Sequence, residues 1–492
     1  MKSHLNRFVT QNFHLKHLVK FLHEASDTLQ TATNLDTTVP NSSDISESQT
    51  DLAKQQNHYV SHLAEVNKTQ EITSTTDVVN DKGILLVKKG ARITEDVAQK
   101  VLNHKLLKPL EEQVCFEKSL GANELQVEFD KIFSELPDLK QIHESQEFSA
   151  DLQTVIKFAA KKNFLLQKLT VLSQQLPDVF KKALFSAWLS SLIAKKIGLE
   201  LEDIQCAFVA GLFHDIGLLH IDPDILNKKS KLEPDEWKAI KSHVVVGYLI
   251  FSNLTKKYSR VAQAILEHHE CCDGTGYPVG KLEDGLGILG QIVAMADTLQ
   301  AIRLNQFTRS GMNMRDTLPF LHMNTNRHFT RVYQAVSLLI MESDLPVTLK
   351  IPYPSHKAML DTLIERVDVL QDAIVVLMLV CELTKNLHDD VQFRKFSCVA
   401  QPVLHMINSS GLAKEDILIW LKSERLQADD ENTRELVEMD LMQTELLWQL
   451  KKTVKFIDEF LAVTKLLNPM QLEHLTKLST YLYDALATKA AH

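Results

Sequence analysis

Apolar residues follow helical spacing almost without a break from residue 178 to residue 341, and this pattern constrains the fold most. Two polar, glycine-containing loops, at 222–234 and 271–290, are its main interruptions. The chain of 492 residues contains only 15 glycines and 13 prolines, which favours helices over loops. The sequence therefore predicts a mainly α fold, and a chain of this length is expected to form several domains.

The first 118 residues differ from the helical region. Residues 1–24 are predicted to form a helical segment, and residues 25–65, rich in Ser, Thr, Asp, Asn and Gln, to form a flexible linker. In residues 66–118, two glycine turns flank the apolar strand Ile84–Val87, and Thr94 is suited to cap a helix. This segment therefore predicts a small α/β module.

Helical patterns also flank the central region. Residues 119–175 are amphipathic and are predicted to be a helical connector. Residues 346–492 predict a helical C-terminal domain, with breaks at 352–354, 409–411 and 468–469. This domain holds no cluster of ligands or nucleophiles, so an interaction or regulatory role, with a protein partner, is the expectation.

Charge and cysteine usage limit the class of protein. The formal net charge of −9 opposes binding to a long nucleic acid, whose affinity comes largely from Lys and Arg. Six scattered cysteines form neither a disulfide framework nor a paired zinc pattern, which favours a reducing compartment. The longest apolar run, at 373–381, is far shorter than the about 20 residues of a membrane helix. We therefore expect a cytoplasmic protein without membrane insertion.

Six histidine and aspartate residues stand beside apolar helical segments. They are His214, Asp215, His243, His268, His269 and Asp297. Imidazole and carboxylate groups are the ligands that borderline and hard divalent metals require. Asp215 is predicted to bridge two ions and to be the catalytic residue, because its two oxygens each have lone pairs. A single such histidine is more often a hydrogen-bonded core residue, but six ligands in this order favour a metal site.

The order of these motifs carries a family resemblance. The chain reads HDIGLLHIDPDILNKKSKL, SHVVVG, HHECCDGTGYPVG and AMAD. Residues 176–341 therefore resemble the HD-GYP domain, a bacterial signalling module. The resemblance implies an all-helical HD fold with a two- or three-metal centre that hydrolyses cyclic di-GMP to the linear dinucleotide or to GMP. It also implies that Tyr277 lies near the substrate.

Several positions depart from the family pattern. Leu218 stands where the family has a lysine close to the scissile phosphate, and an alkyl group cannot offset negative charge. Lys182 takes the place of a histidine ligand, although Asp178, one turn earlier, could still reach a metal. Gln300 replaces a carboxylate, and Gln306 replaces an arginine, leaving Arg309 as the nearby cation for a phosphate. We therefore expect two divalent ions at most, with Fe, Mn, Zn and Ni all compatible with the ligands.

Three functions are compatible with these residues. The first is a cyclic di-GMP phosphodiesterase of reduced or altered activity, favoured because six buried polar groups in register are costly to retain without a use. The second is a degenerate module that binds nucleotide or a protein partner without catalysis, favoured by the residues at positions 182 and 218. The third is hydrolysis of another nucleotide.

Overall fold

The computed structural model describes residues 58–108, 110–252, 254, 258–307, 311–348, 353–384, 391–427, 432–464 and 467–489. The predicted helical segment 1–24 and residues 25–57 of the predicted linker lie outside this part of the chain. Residues 58–65 of that linker instead lie in helix α1 (His58–Val66). Its apolar residues Tyr59, Val60 and Leu63 are buried, and this tertiary contact stabilises a helix that the polar sequence before it did not indicate.

The N-terminal module contains two antiparallel strand pairs. Strand β1 (Ile72–Ser74) pairs with β4 (Val114–Phe116), and β2 (Val78–Val79) pairs with β3 (Leu85–Val87). Helix α2 (Glu95–Leu102) follows β3, and the side chain of Thr94 accepts a hydrogen bond from the Val97 amide, as the sequence predicted. The β2–β3 pair was expected from its turns, whereas the β1–β4 pair joins segments too distant in sequence to be predicted.

Residues 119–175, predicted to be a helical connector, form four short helices. They are α3 (Ala122–Glu135), α4 (Pro137–Ser145), α5 (Ser149–Ala159) and α6 (Asn163–Gln175). Pro137 ends α3 because proline has no N–H for a helical bond, and Glu147 adopts a positive φ of 48° between α4 and α5. Apolar side chains of all four helices are buried in the same core as the helices that follow, so this segment is part of the core.

Nine α-helices build the central bundle in the described part of residues 177–341. They are α7 (Pro177–Ile197), α8 (Leu201–Phe213), α9 (Pro223–Leu226), α10 (Pro234–Lys241), α11 (His243–Ser252), α12 (Ser259–Glu267), α13 (Ile288–Ala301), α14 (Leu318–Met323) and α15 (Thr330–Met341). A 3-10 helix, Ile216–His220, follows α8, and a π-helix, Ile302–Phe307, continues α13. One hydrophobic core runs from Tyr59 to Leu345 through all of this region.

The C-terminal region is helical, as expected. It consists of α16 (His356–Thr384), α17 (Val391–Ser410), α18 (Glu415–Gln427), α19 (Thr433–Val463) and α20 (Pro469–Lys489). Asn324, after α14, donates to Glu445 of α19 at 2.9 Å, and Gln449 donates to the Asn324 side chain at 3.0 Å. This buried polar contact joins α19 to the central bundle.

The mainly α fold class, with a small β-containing N-terminal module and a helical C-terminal region, is confirmed. In the described part of the chain, no helix combines the length and apolar character that crossing a lipid bilayer requires.

Candidate metal centre

His214 and Asp215 lie at the end of α8, a strongly apolar helix of the bundle. Every residue of α8 from Cys206 to Phe213 is buried. Gly211 lets α8 approach α7, because a Cβ at this position would come within 2.6 Å of the Ser186 carbonyl oxygen. The Nδ1 atom of His214 lies 2.8 Å from the Gly211 carbonyl and donates to it, which directs Nε2 away from the helix.

His243 begins α11 and lies against the turn that follows Asp215. Its Nδ1 atom donates to the Ile240 carbonyl at 2.7 Å. A Cβ on Gly217 would collide with the backbone of His243, so only glycine allows the two segments to approach so closely. This contact brings His243 beside Asp215.

His268 and His269 follow the last turn of α12. The Nδ1 atom of His268 donates to the Ile265 carbonyl at 2.7 Å, in the same manner as in the other two buried histidines. The ring centroids of His268 and His269 lie 4.0 Å apart. Two adjacent imidazoles are thus directed into one space by the end of a single helix.

Asp297 extends from α13 toward this space, and Gln300 fixes its orientation. The side chain of Gln300 is buried one turn further along the helix, and its Nε2 atom donates to Oδ1 of Asp297 at 2.8 Å. Gln300 was interpreted from sequence only as a lost carboxylate. In the structure it is a hydrogen-bond donor to a candidate ligand, which is a role that outer groups commonly have at metal sites.

The three buried histidines direct acceptor atoms at one another and at Asp215. The Nε2 atoms of His243 and His268 lie 3.4 Å apart, and His243 Nε2 lies 3.2 Å from Oδ1 of Asp215. Because the Nδ1 atoms of His243 and His268 each donate a hydrogen bond to a carbonyl, each of these two rings, when neutral, presents a lone pair at Nε2. Facing lone pairs repel unless a proton or a cation lies between them. The donor set therefore fits a metal ion.

The two oxygens of Asp215 face different histidines. Oδ1 lies 3.2 Å from His243 and 3.9 Å from His268, whereas Oδ2 lies 3.3 Å from Nε2 of His214. The same His214 atom is 3.4 Å from Asp297, and it has no partner with hydrogen-bond geometry among the described residues. Asp215 thus stands between two groups of donors, which is the arrangement that a bridging carboxylate requires.

A subset of these residues is compact enough to hold one ion. Asp215, His243, His268 and His269 each offer a ligand atom, and these atoms lie within 4.8 Å of one another. The side chains of His214 and His268 are fully buried, whereas those of Asp215, Asp297 and His269 are 15%, 17% and 26% exposed. The cluster therefore opens to solvent on the side of the two carboxylates and His269.

Burial and mutual charge shift the pKa values within the cluster in opposite directions. Burial lowers the pKa of His268 well below its usual value and, with the neighbouring His243, lowers that of His269 to about 4. Burial also opposes the charged form of His214, but the carboxylates of Asp215 and Asp297 outweigh it and raise the His214 pKa. The neutral imidazoles at 268 and 269 are the form that binds metals.

A buried glutamate holds the loop that follows the two adjacent histidines. Glu270 accepts hydrogen bonds from the backbone amides of Val279, Gly280 and Lys281, at 2.7 to 3.2 Å. The amide of Tyr277 donates to the His269 carbonyl at 3.1 Å, and its ring stacks on the His269 ring at 4.6 Å between centroids. Tyr277 thus forms a wall of the opening, where sequence reasoning had predicted contact with a substrate.

The remaining sequence predictions meet different outcomes. The six predicted ligands come together, while Arg309, the predicted phosphate-binding cation, lies outside the described residues. Asp178 is exposed in the first turn of α7 and is not among the clustered donors of the described chain. Leu218 is half-buried in the 3-10 helix after Asp215. The roles assigned to the six ligands stay predictions.

Comparison with known proteins identifies the class. Residues 153–331 match the family model described as the HD domain, so the match begins within α5. The chain therefore contains an HD domain, whose helices carry the histidine and aspartate cluster. The HHE and DGTGYP motifs lie within the matched residues, so this part of the chain resembles an HD-GYP domain.

Three curated relatives are similar to this domain. The chain is 31% identical over 141 residues to the cyclic di-GMP phosphodiesterase response regulator RpfG of Xanthomonas campestris pv. campestris, covering 28% of this chain and 37% of that protein. It is 39% identical over 117 residues to the cyclic di-GMP phosphodiesterase of Thermotoga maritima, covering 23% and 32%. It is 32% identical over 136 residues to the 3'3'-cGAMP-specific phosphodiesterase 1 of Vibrio cholerae, covering 28% and 30%. The chain spans about a third of the length of these relatives.

Proposed function

We propose that this protein is a metal-dependent phosphodiesterase that hydrolyses cyclic di-GMP to the linear dinucleotide or to GMP, as a step in bacterial second-messenger signalling. The observation that carries the proposal is the 3.4 Å approach of the Nε2 atoms of His243 and His268 beside Asp215. Such facing acceptors need a proton or a cation between them, and the carboxylate beside them favours a metal ion. Relatives named as cyclic di-GMP phosphodiesterases, which share the HD domain, support the choice of substrate.

The donor set would hold two divalent ions, with Asp215 as the bridge. Its Oδ1 lies on the side of His243 and His268 and its Oδ2 on the side of His214, so these three histidines would supply ligands to the pair of ions. Asp297 would add a ligand from the open side, and His269 lies close both to Asp297 and to the group around His243 and His268. Paired ions supply activation of water toward hydroxide and neutralisation of charge on a scissile phosphate. Iron, manganese, zinc and nickel all suit imidazole and carboxylate ligands.

The residues around the opening would orient the substrate. Tyr277 lies with its ring along His269, so a nucleotide that enters beside the carboxylates meets an aromatic face. Glu270 keeps that ring in position through its bonds to the loop amides.

We expect cyclic di-GMP turnover to be slower than in a site that has the family's lysine at position 218. Leu218 cannot donate a hydrogen bond to the phosphate, and the loss of one preorganised charge stabiliser costs on the order of 10²–10³ in rate. The HD fold and the ligands favour catalysis over a purely structural role. We also propose a cytoplasmic location, which the free state of all five described cysteines supports.

Metal analysis of the purified protein and of one variant tests the metal site. Asp215→Ala removes the proposed bridge and should strip most of the bound metal. The matched control is Asp224→Ala, since Asp224 is an exposed carboxylate on α9. Equal metal content in the wild type and in Asp215→Ala would contradict a bridged pair of ions.

A substrate comparison tests the reaction. Cyclic di-GMP should be hydrolysed faster than 3'3'-cGAMP, and the reverse order would assign the enzyme to the second substrate. A wild type that binds cyclic di-GMP without cleaving it would support the alternative, a regulator that acts without catalysis. In that case the helices α16–α20 would be the region to test for a protein partner.

A further inference from the structure

Lys241 places an ammonium group beside the wall of the metal centre. It is the last residue of α10, two positions before the candidate ligand His243. Its Nζ atom lies 5.1 Å from the centroid of the Tyr277 ring and 5.5 Å from that of Trp237, one turn earlier on the same helix. Aromatic faces attract a cation at this range, so the ammonium is held near the opening.

Two other lysines of these segments are paired with carboxylates, whereas Lys241 is not among the described ion pairs. Lys228 pairs with Glu236 at 2.6 Å, and Lys281 pairs with Glu267 at 2.7 Å. Among the described residues, no carboxylate lies within ion-pair distance of Lys241. Its side chain is partly exposed, and its four-carbon stem gives the ammonium reach. Lys241 is therefore available to an anionic ligand.

The position of Lys241 relates directly to the departure at Leu218. Gly217 contacts the backbone of His243 so closely that a Cβ would collide with it. Residue 218 and residue 241 thus belong to two segments that meet at the metal centre. The segment that contains Leu218 lacks the lysine of the family pattern. The segment that contains Lys241 provides an ammonium group that no described carboxylate pairs with.

We propose that Lys241 binds the non-scissile phosphate of the cyclic dinucleotide. This inference rests on the proposed function. A cyclic dinucleotide carries two phosphodiesters, each with one negative charge, and only one of them can lie at the metal ligands during cleavage. Lys241 approaches Tyr277, whose ring stacks on His269 at 4.6 Å, so the ammonium lies beside the ligand cluster and outside it. A substrate that spans Tyr277 would present its second phosphate there.

This role predicts an effect on binding that differs from that of a catalytic residue. The contact with the second phosphate is the same in the ground state and in the transition state. Its removal should therefore raise KM and leave kcat almost unchanged. A hydrogen bond to a charged group is worth enough to change affinity by about ten-fold or more.

The test compares three variants of the full chain with cyclic di-GMP as the probe. Lys241→Met removes the charge, Lys241→Arg keeps it, and Lys238→Met removes an exposed lysine from the same helix as the matched control. We expect Lys241→Met to raise KM about ten-fold, Lys241→Arg to stay near the wild type, and Lys238→Met to have little effect. The salt dependence of KM should also weaken in Lys241→Met, because a charge contact is lost. Metal content should stay equal in all three.

Three results would overturn the inference. An unchanged KM in Lys241→Met would show that Lys241 does not contact the phosphate. An equal rise of KM in Lys238→Met would indicate only a general effect of positive charge on this helix. Loss of metal in Lys241→Met indicates a structural role. If the wild type does not cleave cyclic di-GMP, the proposed function fails separately, and the dissociation constant of the dinucleotide becomes the readout. Ten-fold weaker binding by Lys241→Met then supports the phosphate contact, whereas equal binding, or no binding by the wild type, overturns it.

Discussion

Gln300 donates a hydrogen bond from its Nε2 atom to Oδ1 of Asp297 at 2.8 Å, inside the buried face of α13. The bond orients the carboxylate toward His214, whose Nε2 atom lies 3.4 Å from the same oxygen. Outer groups of this kind are worth 10–100-fold in metal affinity at other sites. The glutamine at this position is thus a positioning residue for the candidate metal centre.

We therefore expect Gln300→Ala to bind metal about 10–100-fold more weakly than the wild type. Competition with a chelator of known affinity measures the change, and Gln153→Ala, on the exposed side of α5, is the control. Equal affinity in Gln300→Ala and in the wild type would show that the hydrogen bond does not support the site.

Leu218→Lys should raise the turnover of cyclic di-GMP. The new ammonium would stabilise charge on the scissile phosphate, which at other sites is worth up to roughly 10²–10³ in kcat. Leu218→Met, with a neutral side chain of similar size, should leave kcat unchanged and is the control. A wild type that is already fast, together with no gain in Leu218→Lys, would contradict the role assigned to the missing lysine.

Glu270→Ala should destabilise the loop that carries Tyr277. The substitution removes the charged acceptor for three part-buried backbone amides, and hydrogen bonds to charged groups contribute about 1.5–3 kcal/mol each. We expect the free energy of unfolding to fall by at least about 2 kcal/mol in urea titrations, and KM for the dinucleotide to rise. Glu283→Ala removes an exposed carboxylate from the same loop and should change neither quantity. Equal stability of the two variants would contradict the role of Glu270 in holding the loop.

Asp138→Ala should destabilise the central bundle through Arg303. Asp138 of α4 accepts from Nε and Nη2 of Arg303 at 2.6 and 2.9 Å, and from the Met314 amide at 2.9 Å. Removing the carboxylate takes away two hydrogen bonds of the buried guanidinium, which costs up to about 3–5 kcal/mol in the free energy of unfolding. Adding Arg303→Met should recover part of the loss. A double variant less stable than Asp138→Ala alone would contradict this explanation.

The sequence predicted the parts of the site that depend on local order. The pairs at 214–215 and 268–269 end apolar helices, so their positions follow from patterns that helix periodicity makes visible. The helical content and the cap at Thr94 were predictable for the same reason.

Contacts between distant segments could not be predicted in this way. Asp138 and Arg303 are 165 positions apart, and nothing in either local sequence indicates the pairing. For the same reason, residues 119–175 were interpreted as a connector, although they share the core of the bundle. The donor role of Gln300 was missed because a glutamine three positions after an aspartate has many uses on a helix.

The most direct test of the central claim is the rate of cyclic di-GMP hydrolysis by the full chain before chelation, after chelation and after metal is returned. The ligand cluster predicts that chelation abolishes hydrolysis, and that manganese, iron, zinc or nickel restores it in the wild type but not in His268→Ala. Hydrolysis that survives complete removal of metal, or that is equal in His268→Ala, would contradict the account.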